Sequence, residues 1–308
     1  MKLKMQGVYT ALITPFTANG EVCQETLISL LHHQEQSGVD CVVVLGSTGE
    51  PSTLDDHERN LVISLAVHEL KGKVPVMVGC GSPSTKKTIE MAKVAESLGA
   101  DALQIVTPYF NRPTQEGIFL HYQAISQNVA LPVCVYNIPS RCGQNIETQT
   151  VLRLAELPHV IGIKECSGNF QQMGDIYEQI CQVNPNFALF SGDDPITLPM
   201  MAIGAQGVMS VLSNLVPRAI LRMVRAMQAG NLALARSLHY ALKPLMQVIF
   251  IESNPTPLKY LMRLANLDTG RVRLPLCEPT KASQEKLEMA FSMVKELMDE
   301  ELLVGASR

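Results

Sequence analysis

Lys164 closes the apolar run Val160-Ile-Gly-Ile163 and is followed by Glu165. A lysine at the end of a buried strand loses hydration, which disfavours its charged form and lowers its pKa. Such an amine can attack a carbonyl and form a Schiff base. The same residue also reads as a lysine extending to the surface. Tyr136 opens Tyr136-Asn-Ile-Pro-Ser-Arg141 directly after Val133-Cys-Val135. A tyrosine there can relay protons, and an arginine five residues on can fork onto a carboxylate. Taken singly, Tyr136 reads equally as a core residue and Arg141 as a solvated charge. Gly46-Ser-Thr-Gly-Glu50 offers two adjacent hydroxyls, Ser47 and Thr48, between glycines that permit a tight turn. Exposed N–H groups in such a turn suit a small carboxylate, although an ordinary strand-to-helix turn has the same composition. In Ser191-Gly-Asp-Asp194, Gly192 permits close backbone approach, and the two aspartates read as a helix cap.

Other patterns narrow the chemistry. Asp55-Asp-His-Glu58 resembles a metal cluster, but acidic residues in the first turn of a helix favour the helix dipole and explain it more simply. There is no H-E-x-x-H, Walker A sequence or G-x-S-x-G elbow, and no close grouping of Cys and His. The expected chemistry uses no metal and no nucleotide.

These residues must be carried by elements, and the pattern is strand-then-helix repeated. Short apolar runs at Val8–Ile13, Cys41–Leu45, Val74–Val78, Ala102–Val106, Val133–Tyr136, Val160–Ile163, Phe187–Phe190 and Val208–Val211 each precede a stretch of helical period. Helix starts are expected from Thr53-Leu-Asp-Asp56 as a capping box and from Ser82 as an N-cap ahead of Pro83. Gly99 follows Leu98 where a helix-ending glycine belongs. Eight such units predict an α/β protein built as a (β/α)8 TIM barrel over residues 1–229. A dinucleotide fold is disfavoured, because Gly79-Cys-Gly81 lacks the third glycine of the fingerprint. After Gly230 the strand signals stop. Asn231–Phe250, with a kink expected at Pro244, Thr256–Leu264 and Ser283–Leu303 predict a C-terminal helical region over 230–308.

Composition agrees with a globular protein. The 308 residues are 46% apolar and 18% charged, with a formal net charge of −4 and no block of like charge. That excludes a disordered chain and argues against nucleic-acid or polybasic membrane binding. No apolar run reaches the length of a membrane span, and no signal peptide is expected. Eight cysteines lack C-x-x-C spacing and read as reduced, mostly buried thiols of a cytoplasmic protein. With no tryptophan, 5% aromatics and 15 methionines, the core must be aliphatic. Layers of branched aliphatic side chains inside a closed barrel are the expected explanation.

Together the strand-end motifs resemble the pyruvate-dependent class I aldolases, and within them the dihydrodipicolinate synthase family. The resemblance runs from about Gly7 to Pro279. It includes Thr10-Ala-Leu-Ile-Thr-Pro-Phe16, Thr107-Pro-Tyr-Phe-Asn-Arg-Pro113 and Glu252-Ser-Asn-Pro255 besides the segments above. It implies that Lys164 forms an imine with pyruvate while Tyr136 donates and accepts the protons. Ser47 stands where these synthases usually carry threonine in the relay. Thr48 and the backbone at Met209 would hold the pyruvate carboxylate, Gly192 would lie close to the substrate, and Arg141 would bind the carboxylate of aspartate semialdehyde. The product would be 4-hydroxy-tetrahydrodipicolinate, formed without a cofactor, on the way to lysine and diaminopimelate.

Two departures from the family pattern stand out. The second tyrosine usual after Tyr109, inserted from a neighbouring subunit to complete the relay, is Phe110 here. Its lost hydroxyl predicts slower proton transfer. The effector positions of lysine-inhibited members carry Pro51, Asp56, Arg59, Pro83 and Lys87, and a cationic Lys87 predicts weak feedback by lysine. A homotetramer, as a pair of tight dimers, is the family expectation. The rival enzyme is an N-acetylneuraminate lyase or related sugar-acid aldolase, which shares the lysine and tyrosine but usually lacks Arg141. A pyruvate-binding barrel with little turnover is the remaining alternative.

Overall fold

The computed structural model describes residues 3–267, 269–294 and 297. Eight parallel strands close on themselves in sequence order. They are β1 (Gly7–Ala11), β2 (Cys41–Val44), β3 (Val76–Gly79), β4 (Ala102–Val106), β5 (Val133–Asn137), β6 (Val160–Glu165), β7 (Ala188–Ser191) and β8 (Gly207–Ser210). Closure is made by β1 on β8, where Tyr9 pairs with Met209. The strand-to-strand helices are α1 (Gln24–Ser37), α2 (Asp56–Leu70), α3 (Thr85–Ser97), α4 (Gln115–Ser126), α5 (Pro139–Cys142), α6 (Thr148–Ala155), α7 (Phe170–Ile176) and α8 (Thr197–Ala202). After β8 come α9 (Pro217–Gln228), α10 (Leu232–Val248), α11 (Thr256–Leu264) and α12 (Lys281–Met293). The expected TIM barrel with a helical C-terminal region is therefore the observed architecture.

Strand ends shift by one or two residues for identifiable reasons. β1 stops at Ala11 because the Ile13 N–H is taken by the Asn214 side chain rather than by a neighbouring strand. β6 continues through Lys164 and Glu165, which pair with Phe190 and Ser191 on β7. Helix starts need correction. Asp55, not Thr53, caps α2: its side chain accepts from the Glu58 N–H and the Glu58 carboxylate accepts from the Asp55 N–H. Ser84, not Ser82, caps α3, because it is Ser84 Oγ that accepts from the Lys87 N–H. Pro83 thus lies outside the helix. Gly99 follows the C-cap of α3 with φ +91°, a left-handed conformation that glycine adopts without strain. Pro244 lies inside α10. The expected helix over 283–303 begins at Lys281, and its portion beyond residue 294, Leu297 apart, lies outside the described residues.

The aliphatic richness has a different cause from the one expected. Inside the barrel sit Tyr9, Cys41, Val43, Met77, Ala102, Cys134, Ala188, Phe190 and Met209, with a single branched aliphatic among them. The Tyr9 and Phe190 rings meet at a tilt of 50°, their centres 4.7 Å apart. The branched side chains instead fill the shell between strands and helices, for instance Val42, Val78, Ile105, Val135 and Ile163. Both faces of a parallel strand are buried, so successive residues divide between these two cores.

The C-terminal region packs on the barrel through α9 and reaches the end at which the strands finish. Lys259 of α11 pairs with Glu50 at 2.7 Å with neither side chain more than 1% exposed. Arg273 donates its N–H to Glu50, reaches the carbonyls of Gly20 and Thr53, and pairs with Glu58.

Candidate active site

Strand alternation decides which residues enter the barrel mouth. Cys134 and Gly162 face inward on β5 and β6, so Tyr136 and Lys164, two residues further along each strand, face the same way. Register then sets them side by side, Tyr136 opposite Lys164. The Lys164 Nζ lies 4.4 Å from the centre of the Tyr136 ring. Both side chains are at most 5% exposed. Burial lowers the Lys164 pKa, against the opposing influence of Cys166, Cys134 and Asp194. Burial also pushes the Tyr136 phenol well above its ordinary value, while Ser47 hydrogen bonding works the other way. Burial thus moves the amine towards its neutral form beside a phenol that keeps its proton, and carbonyl addition needs one nucleophile and one proton donor.

The turn after β2 forms a short helical loop over Ser47–Gly49 that ends at Glu50 in a left-handed conformation, φ 52°. A non-glycine residue rarely adopts this backbone, and the buried Lys259 and Arg273 contacts hold Glu50 there. Thr48 is 1% exposed and its Oγ1 accepts from Asn254 Nδ2 at 2.9 Å. Arg141, on α5, is exposed, and its Nη2 donates to the Asn254 carbonyl at 3.1 Å. Met209 is fully buried in β8, where its Sδ accepts from Gln104 Nε2 at 3.0 Å. Gly192 leaves room that no other residue could: a Cβ there would lie 2.8 Å from Lys164 Cε and collide with Cys166 Sγ.

Ser47, Gln104, Tyr136 and Arg141 line one cavity of about 550 Å³ at this end of the barrel. The same cavity runs outward past Tyr109, Pro51, Asp56, Arg59 and Lys87. Lys87 is paired there with Asp56 at 3.2 Å, and Arg59 donates to the Pro51 and Gly79 carbonyls. The Pro83 carbonyl accepts from Asn111 Nδ2. Lys164, Thr48, Met209 and Gly192 lie behind the residues that line it, and Phe110 points away from it altogether. It is 93% exposed, on the loop after β4.

Several groups at the site have roles that sequence reasoning did not give them. Asp194 is not a helix cap. Its carboxylate accepts from Ser210 Oγ at 2.5 Å and from the N–H groups of Val211 and Leu212 at 3.0 Å, fixing the turn after β8. Burial lifts the Asp193 carboxyl to about 6, helped by Asp194 and opposed by Lys164. Cys166 lies against Lys164, its thiol pushed up to about 12 by burial, so it remains a neutral S–H near pH 7. Glu165 is fully buried and held by Asn137, Gln172 and the Ser167 N–H, anchoring the strand that carries Lys164. Asn254 had a signal, since Glu252-Ser-Asn-Pro255 is one of the resembling segments, but nothing in it pointed to a contact with Thr48. Among the described residues no group of three or more His, Cys, Asp or Glu could hold a metal ion, and no helix is long and apolar enough to cross a membrane.

The Dihydrodipicolinate synthetase family matches residues 4–294. A 4-hydroxy-tetrahydrodipicolinate synthase of Protochlamydia amoebophila is 48% identical over 283 residues, 92% of this chain and 94% of that protein. The synthase of Syntrophus aciditrophicus is 42% identical, covering 92% and 96%. Among solved structures, the synthase of Methylacidiphilum fumariolicum SolV is similar with a TM-score of 0.93 at 39% identity, covering 98% of this chain and 99% of that one. A dihydrodipicolinate synthase of Cyanidioschyzon merolae with lysine bound has a TM-score of 0.91 at 36% identity, covering 94% and 98%.

Proposed function

Because the chain belongs to the dihydrodipicolinate synthetase family, we propose that it condenses pyruvate with L-aspartate 4-semialdehyde through an imine on Lys164. The product is 4-hydroxy-tetrahydrodipicolinate, and the reaction serves lysine and diaminopimelate synthesis. The observation that supports this most is the buried pair of Lys164 and Tyr136, with Nζ 4.4 Å from the ring centre, beside a cavity that Tyr136 and Arg141 line.

In this reading the neutral Lys164 amine attacks C2 of pyruvate. Tyr136 supplies the proton with which the C2 oxygen leaves as water, and Ser47 passes protons beside it. The imine draws electrons from C3, a C3 proton departs, and the resulting enamine attacks the semialdehyde carbonyl. The amine of the bound semialdehyde then adds to C2 and expels Lys164, closing the ring. Thr48 and the Met209 backbone hold the pyruvate carboxylate. Gly192 keeps the space beside the Lys164 stem open for the adduct. Arg141 takes the carboxylate of the second substrate, with which a guanidinium can bond through two N–H groups at once. The electron sink is the imine itself, so the chemistry needs no metal or cofactor. The barrel of 1–229 and the helical region of 230–308 act together as one enzyme.

The partners are two small molecules and further copies of the same chain. A homotetramer built as two tight dimers would carry Phe110 into a neighbouring site. All eight cysteines are free thiols, which suits the cytoplasm. Feedback by lysine is weak, since the effector positions present Lys87 with its Asp56 counterion already in place.

Borohydride reduction in the presence of pyruvate tests the mechanism. A mass adduct is expected that disappears in Lys164→Ala, and a persistent adduct would place the imine elsewhere. A coupled assay comparing aspartate semialdehyde with N-acetylneuraminate tests the substrate, and cleavage of the sugar acid alone would favour the lyase. Strong inhibition by sub-millimolar lysine in that assay would overturn the feedback reading.

A further inference from the structure

Asn254 lies in the connection between α10 and α11, far along the chain from the barrel strands, yet it is 4% exposed at the catalytic end. Its side chain donates to Thr48 Oγ1 at 2.9 Å, and its own main-chain carbonyl accepts from Arg141 Nη2 at 3.1 Å. One residue therefore touches both side chains to which the preceding section gives substrate carboxylates. We propose that Asn254 is a positioning residue that aims the Thr48 hydroxyl at the carboxylate of pyruvate. The inference rests on that reading of Thr48.

The argument is one of donors and acceptors. A carboxylate only accepts hydrogen bonds, so a hydroxyl can hold it only by donating. A threonine hydroxyl has one proton and two lone pairs, and it rotates to suit its neighbours. The Asn254 amide occupies a lone pair of Thr48 Oγ1 and leaves the proton free for an acceptor in the cavity. Asn254 Oδ1 is buried and has no hydrogen-bond partner among the described residues, so the contact to Thr48 is the side chain's own anchor. The Arg141 contact differs in kind, because it uses the main chain and survives any change of side chain. A substitution at 254 should therefore separate the two substrates: pyruvate binding weakens while semialdehyde binding holds.

Steady-state kinetics of Asn254→Ala, Thr48→Val and the double variant, each with a melting curve, test this. Thr48→Val removes a hydrogen bond to a charged group and should raise the pyruvate KM by about 10- to 100-fold. Asn254→Ala should raise it by about 3- to 10-fold, the scale of a neutral hydrogen bond, with the semialdehyde KM changed by less than about 2-fold. Residues acting through one another are non-additive, so the double variant should match Thr48→Val alone. An unchanged pyruvate KM in Asn254→Ala, or its full factor multiplied onto that of Thr48→Val, overturns the inference. If Thr48→Val itself leaves the pyruvate KM unchanged, the reading of Thr48 fails instead. Should Asn254→Ala not fold, Asn254→Asp preserves the shape but captures the Thr48 proton. It should raise the pyruvate KM more than Asn254→Ala would, and no rise overturns the inference equally.

Discussion

Around the cavity Ser47, Tyr136 and Arg141 contribute hydroxyls and a guanidinium, whereas Phe110 contributes only a ring. It stands 93% exposed at φ +69°, on a loop where a lone chain gives it nothing to pack against. In the proposed tetramer it enters a neighbouring site without the hydroxyl that would extend the relay beyond Tyr136 and Ser47. General acid and base assistance is worth about 10²–10⁴-fold, and a water molecule can restore part of it. Phe110→Tyr is therefore expected to raise kcat at saturating substrates by about 10-fold or more. A kcat that does not move would remove Phe110 from the relay. Lys164, Tyr136, Ser47, Thr48 and Arg141 were legible as residues because each follows an apolar strand and so falls at the barrel mouth. Asn254 and Cys166 were not. Asn254 has no strand to place it, and Cys166 resembles the inert buried thiols until the fold sets it beside Gly192, where the Lys164 stem also passes.

At the level of elements, the strands were readable to within one or two residues because each is a short, mostly apolar run set between helical stretches. Helix starts were less so, since several residues near each start could supply the capping oxygen and only the backbone path decides. Ser82 is used instead to receive Ser84 N–H, and its own N–H goes to Thr88 Oγ1. Helix packing also buries titratable groups. His121 of α4 bonds Thr85 Oγ1 of α3 through Nδ1 at 2.9 Å, and its Nε2 has no partner among the described residues. Burial pushes its pKa down to about 4, below the value of about 6.5 of a free histidine. Between those values the unfolded chain binds more protons than the folded one, so His121 costs stability as pH falls from about 6.5 towards about 4. On moving from about pH 7 to about pH 5, His121→Gln should lose about 1–2 kcal/mol less stability than the parent. Denaturant titrations at both pH values check this, and equal losses would show that His121 does not titrate in that range.

Across the whole molecule, the barrel and the C-terminal helices share a buried charge. Glu50 belongs to the turn that carries Thr48, and its countercharge Lys259 belongs to α11. Burial brings the Lys259 pKa to about 8, while Glu50 works to keep it charged. Removing one member of a buried pair leaves the other uncompensated, which typically costs about 3–5 kcal/mol. Lys259→Met is expected to lose stability on that scale in denaturant unfolding. Residues 1–229 expressed alone should fail to fold as a pyruvate-binding barrel. Parental stability in Lys259→Met would show that the pair is not a structural joint. The barrel class was legible from eight repeated units, but the contents of its interior were not. Periodicity cannot separate the two faces of a strand when both are buried.

The distance along the chain between these partners also has a consequence in time. Thr48 and Asn254 are 206 residues apart, and the Arg273 N–H that meets Glu50 is 223 residues from it. At a synthesis rate of about 5–20 residues per second, the turn after β2 emerges roughly 10–40 s before the residues that hold it. Throughout that interval Glu50 must stay hydrated, for no countercharge has yet been made. The turn that carries Thr48 is thus among the first parts of the chain to be synthesised and among the last to gain its buried partners.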